Sequence, residues 1–319
     1  RADHDPRRRD HRPARERLRA RGAVLDYHLH LWPHTEGDRP LSLDQIAAYC
    51  ERAAAAGVVE VALTEHLFRF RQADELLGGF WDADEPSPAL RHSMAAYWSF
   101  HARADLDAYV EAALEAKRAG LPVVVGLEVD HYPGRMDRVG AMLAGYPFDV
   151  LLGSVHWLGA WRFDDLDDRP SMLEWSARDV DACWDAYTEA LEELAASGAC
   201  DVVAHPDLIK VTGRLPAHPA EWWDRMADAA ASNHLAAEVS SAGWRKPVGE
   251  QYPALPLLVR LAARGVPLTT ASDAHRLDQV ADHAADLRQL LASVGVEHLQ
   301  AFRRRQGHRV PLAPVPVGD

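Results

Sequence analysis

Seven times the chain passes from a short β-branched run to a longer Ala/Leu/Glu/Arg-rich stretch, and this alternation limits the fold more than any other feature. The runs lie at 24–29 (VLDYHL), 58–64 (VVEVALT), 122–127 (PVVVGL), 149–155 (DVLLGSV), 201–204 (DVVA), 236–240 (AAEVS) and 266–271 (VPLTTA), and their β-branched content predicts strands. Between most of them stand segments such as "LSLDQIAAYCERAAAAG", "DLDAYVEAALEAKRAG" and "DVDACWDAYTEALEELAASG". These carry apolar residues at helical spacing and end in a glycine suited to a left-handed cap. Strand, helix, strand implies a parallel sheet. Seven such units without a glycine-rich linker predict one closed or nearly closed barrel over residues 23–319 rather than two domains. Residues 67–104 interrupt the pattern with a long aromatic connection, read equally as a lid or as a packed surface loop.

Composition narrows the function classes. No stretch approaches the roughly 20 apolar residues of a membrane span, and the net charge is −13. The first 21 residues hold nine Arg against four acids, so the remainder is more acidic than the whole and repels nucleic acid. Residues 1–22 are nearly free of apolar side chains and read as a disordered basic tail. Cys50, Cys183 and Cys200 lack CxxC spacing and are expected to be reduced and buried, as in a cytoplasmic protein.

The strand ends carry the chemistry. His28 and His30 close the first, Glu65 and His66 the second, Glu128 the third, His156 the fourth, His205 the fifth, and Asp273 and His275 the seventh. Parallel barrels gather the carboxyl ends of their strands on one face, so these groups converge although widely spaced in sequence, and alternation along "HLH" turns both imidazoles to the same side. A lone His at a strand end is usually a hydrogen-bonded turn residue. Six imidazoles buried together with Glu128 and Asp273 would leave polar groups unpaired at a cost of several kcal/mol, so the set points to metal ions. The other histidines, including His101 and His131, show no such placement.

The motifs "HLHLWPHTEG", "TEH", "GLEVDHYPG", "GSVHWLGAWRFD", "AHPDLIK", "EVSSAGWRKPVGEQYP" and "SDAH" resemble those of the PHP (polymerase and histidinol phosphatase) superfamily, in its histidinol phosphate phosphatase branch. The resemblance spans residues 24 to about 285 and implies a distorted (β/α)7 barrel with two or three divalent metal ions (Zn, Fe or Mn). Carried over by position, the ligands would be His28, His30, His34, His66, Glu128, His156, His205, Asp273 and His275, with Glu128 between two ions. His34 enters only through the resemblance and follows HxH more closely than in relatives; Glu36 could take its place. Glu65 is assigned to orienting an imidazole.

The resemblance further implies hydrolysis of L-histidinol phosphate, in histidine biosynthesis, by metal-activated hydroxide without a covalent intermediate, with His156, Asp273 and Glu128 central. "GSVH" lacks a nucleophile elbow, so Ser154 is read as structural. Arg245 and Lys246, and more weakly Lys210, are candidate phosphate contacts. Asp130 or Glu250 would face the cationic part of a small-molecule ester, and Arg162 is left without a role. The alternatives are a PHP phosphoesterase for another monoester or nucleotide, and an inactive metal-binding PHP module. A barrel amidohydrolase is disfavoured, since no strand ends in the Lys that joins metals in that class.

Overall fold

Every β-branched run becomes a strand: β1 (Leu25–Leu29), β2 (Glu60–Leu63), β3 (Val123–Asp130), β4 (Val150–Ser154), β5 (Val202–Val203), β6 (Ala236–Ser240) and β7 (Leu268–Ala271). The computed structural model describes residues 23–35, 41–82 and 86–314; the basic tail at 1–22 and Glu36 lie outside them. The seven strands pair in chain order, each parallel to the next. All are buried along their length, as expected of a parallel sheet covered on both faces.

The sheet is drawn into a nearly closed barrel at the seam between β7 and β1, where side chains replace part of the ladder. His30 N–H donates to Ala274 O (2.7 Å) and Asp273 N–H to His28 O (2.8 Å). The buried Asp26 carboxylate accepts from the Ser272 amide, the Ser272 hydroxyl and the Ala281 amide. This stitching fixes the end of β7 against the HxH strand.

Helices follow the strands: α1 (Leu43–Ala55), α2 (Arg71–Leu77), α3 (Pro88–His101), α4 (Leu106–Arg118), α5 (Met136–Leu143), α6 (Arg169–Ala177), α7 (Val180–Ala196), α8 (Ala220–Ser232), α9 (Leu255–Ala263) and α10 (Ala284–Ser293). Ser42, Asp105 and Asp179 cap α1, α4 and α7 by accepting a backbone N–H, a local signal that sets the start of a helix. Gly57 and Gly120, at φ 83° and 85°, end α1 and α4 in a conformation that costs other residues energy.

Two features depart from the sequence expectation. The described residues of the 67–104 segment are largely helical rather than a loop: a 3₁₀ turn at Leu67–Arg69 leads to α2 and α3. Phe68, Phe80, Trp81 and Trp98 pack with Tyr132 and Trp157 into one buried aromatic cluster. The second is an antiparallel hairpin, β8 (His298–Arg303) and β9 (Gln306–Pro311), which docks beneath the barrel. Arg303 there pairs with Glu60, which also accepts from the Tyr27 hydroxyl.

No helix among the described residues is long and apolar enough to cross a membrane. The three cysteines are free and buried.

Candidate metal centre

At the carboxyl end of the barrel one carboxylate organises the imidazoles. Glu128, fully buried near the carboxyl end of β3, has Oε2 2.7 Å from His66 Nδ1, 3.2 Å from His28 Nε2 and 3.5 Å from His30 Nε2. Its Oε1 lies 3.1 Å from His205 Nε2 and 3.4 Å from His156 Nε2. Asp273 Oδ1 stands 3.5 Å from His30 Nε2 and 3.7 Å from both His28 Nε2 and His275 Nδ1. The Nε2 atoms of His34, His66 and His275 form a triangle with sides of 2.8, 3.3 and 3.4 Å. Asp273 and His205 hold positive φ (50° and 26°), a strained backbone of the kind that clusters at functional sites.

These contacts fit cations. His205 Nδ1 is buried without a hydrogen-bond partner, and His66 Nδ1 and Glu128 Oε2 meet at 2.7 Å without the alignment of a hydrogen bond; a buried polar group left so costs about 1–3 kcal/mol if nothing else compensates. Ligands about 2.0–2.1 Å from a tetrahedral zinc stand roughly 3.4 Å apart, close to two of the three sides of the His34/His66/His275 triangle. Four overlapping groups could each hold an ion: His30/His66/His275, His28/His30/Asp273, His28/Glu128/His205 and His66/Glu128/His156.

The electrostatics agree. Burial opposes ionisation of Glu128 and Asp273, yet the imidazoles around them, His28 foremost, hold both carboxyls well below the usual range. Burial keeps His66 and His275 well below the ordinary imidazole value, which leaves them neutral ligands. His28 resists burial because Glu238, Glu128 and Asp273 surround it and raise its pKa. His156 is likewise opposed by burial but raised to about 10 by Glu128 and Asp130.

A supporting layer orients the imidazoles. Glu65 Oε1 accepts from the amides of Leu31 (2.5 Å) and Trp32 (3.0 Å), and its Oε2 from Arg69 Nη1 (3.0 Å) while lying 3.6 Å from His30 Nδ1. Glu65 therefore serves His30 and the loop after it rather than its neighbour His66. Sequence reasoning missed Glu238, whose Oε2 meets His28 Nδ1 at 2.8 Å and whose Oε1 accepts from the His205 amide. A lone acid inside the apolar "AAEVS" was the available signal. Asp130, expected near the substrate cation, instead meets His156 Nδ1 at 2.5 Å and is pushed up to about 6 by burial. His101, given no role, is buried against the rings of His34, Phe68 and Tyr97.

The expected phosphate contacts divide. Lys246 is exposed. Arg245 is half-buried, and its guanidinium donates to Ser272 O (2.6 Å) and Asp273 O (3.1 Å) and pairs with Asp282. Lys210 departs from expectation: it is fully buried, with Asp207, Glu250 and Gln251 O taking its three protons. It braces the 250–253 segment, and a phosphate contact from it would require Glu250 to leave. Ser154 is buried, in keeping with a structural role.

A family model described as the PHP domain matches residues 26–242. The chain belongs to the PHP domain family. A Deinococcus radiodurans protein named "Probable histidinol-phosphatase" is 38% identical to this PHP chain over 200 residues, covering 62% of this chain and 75% of that one. Two solved structures share the PHP barrel at 18% identity. The Listeria monocytogenes protein carrying the name histidinol phosphatase hisK superposes with a TM-score of 0.67 over 82% of this chain and 99% of its own. The Lactococcus lactis histidinol phosphate phosphatase, complexed with zinc, L-histidinol and phosphate, gives 0.62 over 89% and 98%.

Proposed function

We propose that this PHP protein is a histidinol phosphate phosphatase, hydrolysing L-histidinol phosphate to L-histidinol and inorganic phosphate in histidine biosynthesis. The observation that carries the proposal is the gathering of imidazoles around Glu128 in a chain 38% identical to a protein named for that activity. The site would hold two or three divalent ions through His28, His30, His34, His66, Glu128, His156, His205, Asp273 and His275. Glu128 would be shared between two of these ions, since its two oxygens face different imidazoles. Mixed imidazole and carboxylate donors suit Zn, Fe or Mn, and zinc accompanies L-histidinol and phosphate in the Lactococcus lactis protein. Such ions, when bound, lower the pKa of water from 15.7 toward about 7 and offset the charge of a phosphate undergoing in-line displacement.

The chain's own residues supply the rest. Asp130 and Glu238 hold the Nδ1 atoms of His156 and His28, which leaves Nε2 of each directed at Glu128 and fixes the ring orientation. Arg245 would bring positive charge beside Asp273 for the phosphate, with the exposed Lys246 next to it in the chain, and the half-buried Arg245 keeps Asp273 in place through its carbonyl. On α3, Tyr97 and His101 pack against Phe68, whose ring stacks on His66. Buried thiols and a buried Ser154 support direct hydrolysis over a covalent enzyme intermediate. A small-molecule phosphate ester, no nucleic acid and a cytoplasmic setting complete the reading. Phosphate release from L-histidinol phosphate, against a panel of other monoesters and a single-stranded DNA, tests it. Strong preference for histidinol phosphate is expected; turnover of other esters alone would sink the substrate assignment.

A further inference from the structure

His34 differs from the other clustered imidazoles in lacking a strand to hold it. It lies on the loop after β1, and its two ring nitrogens face different surroundings. Nε2 points into the cluster, 2.8 Å from His275 Nε2 and 3.3 Å from His66 Nε2. Nδ1 points outward and lies 3.3 Å from the hydroxyl of Tyr97 on α3, whose ring lies nearly parallel to His34, 21° between planes, with centroids 6.4 Å apart. A metal-ligating imidazole needs an acceptor for its other ring N–H, which fixes the tautomer and the ring orientation.

Tyr97 is itself fixed from behind. The Arg162 guanidinium carbon sits 4.2 Å from the Tyr97 ring centroid, a cation–π contact. Arg162 is buried; its Nη2 donates to Ser93 Oγ (2.8 Å) and lies 3.1 Å from Asp168, while Nη1 pairs with Asp165. Ser93, one turn before Tyr97 on α3, donates to Asp168 Oδ1 at 2.6 Å, and Asp168 caps α6. The loop after β4 thus grips α3 at the turn that presents Tyr97. Two acids take the charge of Arg162, so it is engaged in this grip and not offered to a phosphate.

We propose that Tyr97 is a positioning residue for His34, held by Arg162, so that the helical insertion between β2 and β3 completes the His34/His66/His275 metal site. The inference rests on the reading of that triangle as a metal site. The test is metal binding to chelated, full-length protein, followed by equilibrium dialysis and elemental analysis with Zn or Mn. Tyr97→Phe keeps the ring and removes the hydroxyl; it should weaken one ion by roughly 10–100-fold and leave the others unchanged. Arg162→Met should act in the same direction by freeing the ring. His34→Ala should lose the same ion, and adding Tyr97→Phe to it should cost nothing more. A Tyr97→Phe isotherm identical to that of the unaltered protein would overturn the proposal. So would weakening of every ion together with a lowered melting temperature of the chelated protein, which marks a purely structural contact. If the unaltered protein bound no divalent ion, the metal-site reading itself would fall, and the two failures are distinguished by that first isotherm.

Discussion

Glu128 shows how much a single residue can decide. Its carboxylate lies within 3.5 Å of five imidazoles on four strand ends, so neither its charge nor its two oxygens are dispensable. His156→Ala and Asp273→Ala should each abolish turnover while circular dichroism and the elution volume stay those of the unaltered protein; near-normal activity in either would remove the metal account. Glu238→Gln keeps the shape but weakens the acceptor for His28 Nδ1, and metal affinity or activity should fall by about 10–100-fold, read by metal titration of the chelated variant. Arg245→Ala should raise KM through the lost phosphate charge. It should also lower kcat, because the same guanidinium holds the carbonyl of Asp273; a change in KM alone would show that the brace is idle. The ligand-type residues other than His34 were legible because each closes a β-branched run. Glu238 was not, since it lies inside an apolar strand and its partner is 210 positions away. Arg69 and Asp130 likewise become meaningful only once Glu65 and His156 are beside them.

At the scale of elements, packing set by distant segments overrode what local pattern could reveal. The strands followed from composition, and α1, α4 and α7 from spacing and caps. The 67–104 segment did not, because its aromatic residues face Tyr132 and Trp157 rather than one helical face of their own. The β8–β9 hairpin stayed hidden for a different reason. Its two-residue turn places Arg304 and Arg305 at φ 49° and 60°, where Asn-Gly is the usual signal. Asp149 compensates by accepting the amides of both arginines. Gly243 shows the tightest tolerance near the site: a Cβ there would stand 2.0 Å from the carbonyl oxygen of Glu250. Backbone cannot yield as a side chain can, so Gly243→Ala should displace the 250–252 segment and destabilise the protein by about 1–3 kcal/mol, measured by urea unfolding. An unchanged midpoint would mean that this segment is not packed as described.

At the scale of the molecule, the barrel is shut from both ends: by the metal-type cluster above and by the Arg303–Glu60–Tyr27 group below. Glu60 is buried, so Arg303→Met strands its charge, and a loss of about 3–5 kcal/mol is expected from urea unfolding at neutral pH. The interior also protects its thiols. Burial pushes Cys50 and Cys200 up to about 12, so both stay protonated at pH 8 and should react with a disulfide reagent only after unfolding. Fast labelling of the native protein at that pH would place them at the surface. The central claim is that divalent ions held around Glu128 perform the hydrolysis of histidinol phosphate. Its most direct test measures metal content and phosphate release from L-histidinol phosphate in the same samples, as chelated protein is refilled stepwise with Mn, Zn or Fe. The account predicts no release from the chelated protein and activity that rises with the ions bound. Full activity in a sample stripped of metal would contradict it.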